Sequence, residues 1–248
     1  MAKIKEVVTA EYEARPRTIV RPPVYYPESD GEPMAETDTH RKQMTYLIDA
    51  LEDYFRNAPN VYVAGNLFVY YREGEPTRVV APDVFVVKGV PKGNRRTYQV
   101  WNEEKGPDVV FELTSRGTQR EDLGPKKGIY EMLKVKEYFI FDPLEEYLKP
   151  QLVGFRLEKR GYQRIEETPL VSQVLGLALR VEGEMLRLVD PATGEKLLTT
   201  LEAQEARRRA EALSAQEAEA RRRAEAEVGQ LQAELARLRT TGEAKEEP

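Results

Sequence analysis

This sequence predicts an α/β fold: a mixed central β-sheet flanked by helices, followed by a long C-terminal helix. Three observations predict it. Apolar runs of strand length interleave with segments of helical period between residues 38 and 142. A strand, helix, strand succession over 108–142 suggests a crossover unit on a sheet core. From Leu201 the composition turns to Ala, Glu and Arg, and EARRRAEA occurs at 205–212 and again at 219–226.

Residues 1–36 are rich in proline and charge, with RPRTIVRPPVYYPESDGEP at 15–33, and read as an extended arm. Thr37 and Asp38 are candidate caps for a helix starting near Thr39. Met44, Leu47, Ile48, Leu51, Tyr54 and Phe55 recur at helical spacing and carry it to about Asn57. Val61–Tyr71 and Arg78–Val87 read as strands, and KGVPKGNRRTYQ at 88–99 as a loop. The strand Asp108–Thr114 is apolar enough for burial on both faces. A second helix is expected at about Leu123–Lys134, then a strand Glu137–Asp142 halted by Pro143. GFRLEKRGYQRIE at 154–166 reads as a hairpin around Lys159–Gly161. A β-rich stretch then reaches Asp190, and PATGEK makes a turn.

The repeat in the tail has a period of two heptads. Ala206, Ala210, Leu213, Ala220, Ala224, Val228, Leu231, Leu235 and Leu238 form a stripe, interrupted by Glu217 and shifted in phase near Val228. A coiled coil and a solitary charged helix held by i,i+4 pairs both fit this pattern. The expected organisation is an arm at 1–36, a domain at 37–200 and a helical tail at 201–248.

The chain has no cysteine and one histidine, His40. Disulfides, thiolate metal sites and a polyhistidine zinc site are thereby excluded. Any bound metal must be held mainly by oxygen, which favours Mg²⁺, Mn²⁺ or Ca²⁺. No apolar run approaches a membrane span and the N-terminus has no signal-peptide core, so a cytoplasmic protein without membrane contact is expected. Net charge is −5. The tail from Leu201 holds 9 Lys/Arg and 11 Asp/Glu, leaving 29 and 32 in the body. A slightly acidic body argues against a protein that coats nucleic acid through bulk charge. It leaves room for an enzyme with a locally basic cleft.

Four segments carry candidate chemistry: PDVFVV at 82–87, PDVVFELTS at 107–115, EDLGPKKGIY at 121–130 and EYFIFDP at 137–143. Asp83 follows a proline at the start of an apolar strand. Glu112 stands inside a strand of Val, Val, Phe and Leu, where an ionised carboxylate is costly unless paired or bound to metal. Asp122, Lys126 and Tyr130 are spaced by four and would line one helix face. Phosphodiester hydrolysis needs such residue types: two carboxylates to hold a divalent ion and a lysine to orient water or meet developing charge. Asp83, Glu112 and Lys126 supply them.

Taken in order and with their spacing, these segments resemble the Uma-two family of restriction endonucleases, within the PD-(D/E)XK nuclease superfamily. The resemblance covers roughly 38–200. It begins with His40 opening the first helix and continues through the two PDV segments, Asp122, Lys126, Tyr130, EYFIFDP, the hairpin near Tyr162 and GEKLLT. It implies a restriction-endonuclease-like fold and Mg²⁺- or Mn²⁺-dependent hydrolysis of nucleic acid, DNA above all. By this resemblance Asp83, Glu112 and the Leu113 carbonyl bind metal. The superfamily carries a lysine two positions after the glutamate, where Thr114 stands here. The family supplies it from the next helix, which points to Lys126 with Lys127 as the adjacent alternative. Lys134 stands where the family has glycine.

Ser115, Arg116, Arg120 and Lys127 are candidate phosphate contacts. His40 and Tyr130 are each compatible with the site or with packing. Asp83 also reads as a turn residue after Pro82, and Glu112 as a buried ion-pair partner of Lys126. Asp108 reads as structural, and Glu137 and Asp142 as strand-boundary residues. Trp101 and Tyr98 beside Arg95 and Arg96 fit a base-stacking edge or an ordinary loop. A homodimer is expected. A different class remains: a catalytically silent nucleic-acid-binding or assembly module that oligomerises through the C-terminal helix.

Overall fold

The computed structural model describes residues 24–29, 31, 37–115 and 117–243, with residues 236 and 238–243 described by backbone alone. Arg116 and most of the arm expected over 1–36 lie outside the described residues.

Helix α1, Asp38–Tyr54, is capped by Thr37, whose hydroxyl accepts the His40 N–H at 3.2 Å. Each of the next two expected strands is divided. Gly65 separates β1 (Val61–Ala64) from β2 (Val69–Tyr70). A Cβ at Gly65 would lie 2.3 Å from the Asp83 carbonyl oxygen, so this approach requires glycine. Pro82 separates β3 (Val79–Val80) from β4 (Val84–Lys88) because it has no N–H for a ladder. The expected loop contributes β5 (Tyr98–Gln99), followed by α2 (Val100–Glu103). Next comes β6, Val109–Leu113.

The helix expected at 123–134 is two helices, α3 (Gln119–Leu123) and α4 (Pro125–Met132), broken at Gly124. Pro125 occupies the first turn of α4, where its missing N–H costs nothing. Lys134 has φ 58, the left-handed backbone that glycine adopts without strain. Strand β7 (Glu137–Phe141) follows, then the expected hairpin β8 (Leu152–Glu158) and β9 (Gly161–Arg164). Strands β10 (Leu170–Ser172), β11 (Leu177–Glu182) and β12 (Met185–Val189) precede α5, Thr200–Glu243.

The central sheet has the order β1-β4-β6-β7-β8-β9. It is mixed: β6 and β7 are parallel, joined through α3 and α4, and every other pair is antiparallel. Strands β10, β11 and β12 form an antiparallel sheet, and β3-β2-β5 a third. Side chains alternate across the central sheet with period two. Val84, Val86, Val109, Phe111 and Leu113 face one core, with Leu47 and Leu51 of α1 and Leu177, Leu186 and Leu188 of the β10–β12 sheet. Phe85, Val87, Val110 and Ile140 face a second core with Tyr130 of α4 and Tyr138. Asp83 and Glu112 share the parity of this second set, so the sheet directs both carboxylates toward the layer that α4 covers.

Buried acids fasten the strand ends. The Asp108 carboxylate pairs with Lys105 and Lys136, each at 2.8 Å, and accepts the Lys88 N–H at 2.7 Å. Burial alone would raise its pKa, but these donors outweigh burial and hold it below the usual carboxylate value. Asp108→Asn should therefore cost roughly 2 kcal/mol at neutral pH, read from urea melts. A lowered folded pKa gives stability above the unfolded value of about 3.9 that is lost as pH falls through the folded one. The gap between wild type and variant should hold from pH 7 to about 4 and shrink below it. Glu137 and Asp142 bound β7 as expected and are also buried. Glu137 accepts the Gln173 N–H at 2.9 Å, and Asp142 accepts the Tyr147 and Leu148 N–H groups at 3.0 Å.

Helix α5 begins with a capping box. The Thr199 hydroxyl accepts the Glu202 N–H at 3.2 Å, and the Glu202 carboxylate accepts the Thr199 N–H at 2.8 Å. Glu202 also pairs with buried Arg187 at 2.7 Å, and Thr200 donates to Asp49 at 2.8 Å. Beyond this first turn the helix is exposed as far as Leu235 and carries i,i+4 pairs such as Arg207–Glu211 and Arg221–Glu225.

Candidate active site

The site is built around Glu112. Strand β6 places its carboxylate in the second core, fully buried. Tyr130 of α4 donates its hydroxyl to Oε1 at 2.5 Å, and the Lys126 ammonium, one helical turn earlier, lies 3.1 Å from Oε2. Lys126 also meets Asp122 Oδ1 at 2.9 Å, so one ammonium bridges two buried acids. Asp83, just before β4, accepts the Leu113 N–H at 2.6 Å through Oδ2 and meets His40 Nε2 at 3.3 Å through Oδ1. In a strand the N–H and C=O of one residue leave by the same edge, so the Leu113 carbonyl also faces the β4 side.

Burial pushes the Glu112 pKa well above the ordinary carboxylate range, and the charge of Asp83 adds to this. Lys126 and the Tyr130 hydroxyl oppose the rise. Burial works against the charge on Lys126, but Glu112 and Asp122 outweigh it and hold the ammonium charged. Burial, then Glu112, raises the Tyr130 phenol well above its usual value, so it acts as a neutral donor.

Three acids thus stand around Lys126 and His40, a set of carboxyl oxygens that suits a divalent cation. The donors are oxygens, as a hard ion requires. Among the described residues no three His, Cys, Asp or Glu side chains are grouped closely enough to hold a metal by themselves. Asp83, Glu112 and a main-chain carbonyl supply oxygen donors of the kind such an ion takes.

The two candidate lysines have different surroundings. Lys126 reaches Glu112, whereas the Lys127 ammonium lies 3.8 Å above the Phe155 ring. His40 and Tyr130, open from sequence, are both in contact with the acids. Thr114, at the superfamily's lysine position, is buried and accepts the Tyr147 hydroxyl. Ser115 is exposed just past β6 and donates its N–H to the Thr118 hydroxyl at 3.1 Å. Arg120 is exposed on α3.

The residues of the suggested stacking edge are engaged within the protein to different degrees, with Tyr98 buried, Trp101 half-buried and Arg96 exposed. Tyr98 is buried and donates to the Lys105 carbonyl at 2.8 Å. Arg95 pairs with Glu103 at 2.7 Å, Arg96 with Glu28 at 2.5 Å, and Trp101 packs on Tyr26. Sequence reasoning left two participants out of the site: Asp122, signalled by its i,i+4 spacing to Lys126, and Gly65, signalled by a glycine inside an apparent strand.

The fold and site define an α/β protein with a buried carboxylate on a mixed sheet, bridged to a helix lysine and flanked by a second acid. The family model Uma2, described as "Putative restriction endonuclease", matches residues 9–183, and the chain belongs to this family. Among solved structures it is similar to one titled a "putative nuclease belonging to DUF820" from Anabaena variabilis. The identity is 11%, the match covers 56% of this chain and 73% of that one, and the TM-score is 0.41. No curated protein matches the chain. Among the described residues no helix is long and apolar enough to cross a membrane.

Proposed function

We propose that this chain is a Mg²⁺- or Mn²⁺-dependent endonuclease that hydrolyses phosphodiester bonds in DNA and works as a cytoplasmic homodimer. The observation that carries this reading is the meeting of Glu112 with Lys126 beside Asp83, at the edge shared by β4 and β6. Asp83, Glu112 and the Leu113 carbonyl would hold the cation. Once bound, the cation would supply an acidified water and neutralise charge on the attacked phosphate. Lys126 keeps its proton and meets negative charge as it develops on the phosphate oxygens. Tyr130 fixes the rotamer of Glu112, and His40 steadies Asp83 from the start of α1. Ser115, Arg120 and Arg116 are proposed phosphate contacts. The contact of Lys127 with Phe155 makes it a lesser one.

The test is plasmid cleavage with Mg²⁺ or Mn²⁺. Glu112→Ala should lower the rate by about 10³-fold or more, the scale of removing a metal ligand and its electrostatic support. Activity that survives in this variant removes Glu112 from the mechanism. Calorimetry with Mn²⁺ separates the enzyme from a silent binding module, for which no carboxylate-dependent binding heat is expected.

A further inference from the structure

The Lys126 ammonium has two partners, and only one of them is a proposed cation ligand. Glu112 would surrender its charge to the cation, and a cation held by Glu112 repels the ammonium sharing that carboxylate. Lys126 is a flexible four-carbon chain near the surface, and repulsion alone would turn it toward solvent. Asp122 opposes this. Its carboxylate is buried and lies 2.9 Å from the ammonium. Its own backbone is fixed from another direction, because Tyr138 of β7 donates its hydroxyl to the Asp122 carbonyl at 2.8 Å. The break at Gly124 places Asp122 on α3, so Asp122 is attached to the sheet independently of α4, which carries the lysine. At the site Asp122 meets the ammonium, whereas Asp83 lies on the β4 side of β6, where it accepts the Leu113 N–H.

We propose, resting on the nuclease reading above, that Asp122 is a positioning residue. It retains Lys126 at the site when a cation takes over Glu112, and it is not itself a metal ligand. Lys126 then has two settings: shared between Glu112 and Asp122 without the cation, and held by Asp122 alone with it.

The experiment follows reductive methylation of Lys126 by mass spectrometry, with and without Mg²⁺, alongside Mn²⁺ calorimetry. In the wild type Lys126 should stay protected in both conditions. In Asp122→Asn it should stay protected without Mg²⁺, where Glu112 still holds it, and become several-fold more reactive with Mg²⁺. Asp122→Glu should restore protection. Mn²⁺ affinity of Asp122→Asn should remain close to wild type while kcat for plasmid cleavage falls about 10–100-fold, the usual scale for a group supporting a reacting side chain. Unchanged labelling in Asp122→Asn overturns the proposal. So does loss of Mn²⁺ binding to the extent seen in Glu112→Ala, which would make Asp122 a ligand. Should the asparagine variant not fold, the wild type still decides: Mg²⁺ that exposes its Lys126 to methylation refutes retention by Asp122. A wild type that binds no Mn²⁺ brings down the nuclease reading itself and this proposal with it, a result distinct from the other failures.

Discussion

Glu112→Gln should abolish Mn²⁺ binding and plasmid cleavage while leaving the folded chain more stable than the wild type. The glutamate is fully buried, and burial disfavours its charged form. Glutamine keeps the shape and can still accept the Tyr130 hydroxyl. Lys126 keeps Asp122 as its ion partner. Recovering on the order of 1 kcal/mol of desolvation should raise the melting midpoint by about 2–4 °C in a chain of this size.

The pH dependence has a definite sign. Above about pH 4.3 the glutamate of the unfolded chain ionises, while in the folded chain it keeps its proton to higher pH. Wild-type stability therefore falls as pH rises toward the folded value, and the glutamine variant lacks this slope. The variant's advantage should be small at pH 4 and widest at neutral pH. Melting curves across this range check it, and a lower midpoint for the variant at pH 7 would show that the Glu112 charge holds the fold together. The same proton competes with the cation, so Mn²⁺ affinity of the wild type should rise with pH.

Removing the outer part of α5 should convert a dimer to a monomer. Leu213, Val228, Leu231 and Leu235 are all more than half exposed, and together with the alanines between them they give the helix an uncovered apolar stripe. The internal Arg–Glu pairs are exposed and contribute only tenths of a kcal/mol each, too little to explain a helix of 44 residues as a free-standing rod. Pairing two copies would bury the stripe. A chain ending at Ala212 keeps the capping box and the Glu202–Arg187 pair, so its body should stay intact. Light scattering should give twice the chain mass for the full-length protein and the single mass for the shortened one. A full-length monomer would leave α5 as a solitary helix.

The parts of the fold legible in the sequence are those in which a residue's own chemistry decides its structure. The 3–4 spacing of Leu47, Ile48 and Leu51 gave α1, and the unbroken apolar run of β6 gave a central strand. The break at Gly65 is not legible in the sequence because it depends on a distant atom. Gly65 is needed where the Asp83 carbonyl passes, 18 residues away in sequence. Glu112 drew attention as a charge among apolar neighbours. That Lys126 and not Lys127 meets Glu112 depends on the phase of α4 over the sheet, because successive helical residues point about 100° apart. Asp122 was overlooked as a participant because its importance lies in a shared partner, which spacing suggests and only packing decides.

The clasp at the base of α5 has a consequence for geometry at a distance. Thr199, Glu202 and Arg187 fix the azimuth of the first turn on the body, and a continuous helix transmits that azimuth along about 66 Å of axis. One residue inserted just beyond Glu202 would rotate everything past it by about 100°. Two bodies joined through such rods would then meet in a different clocking, although no atom of either carboxylate cluster had changed.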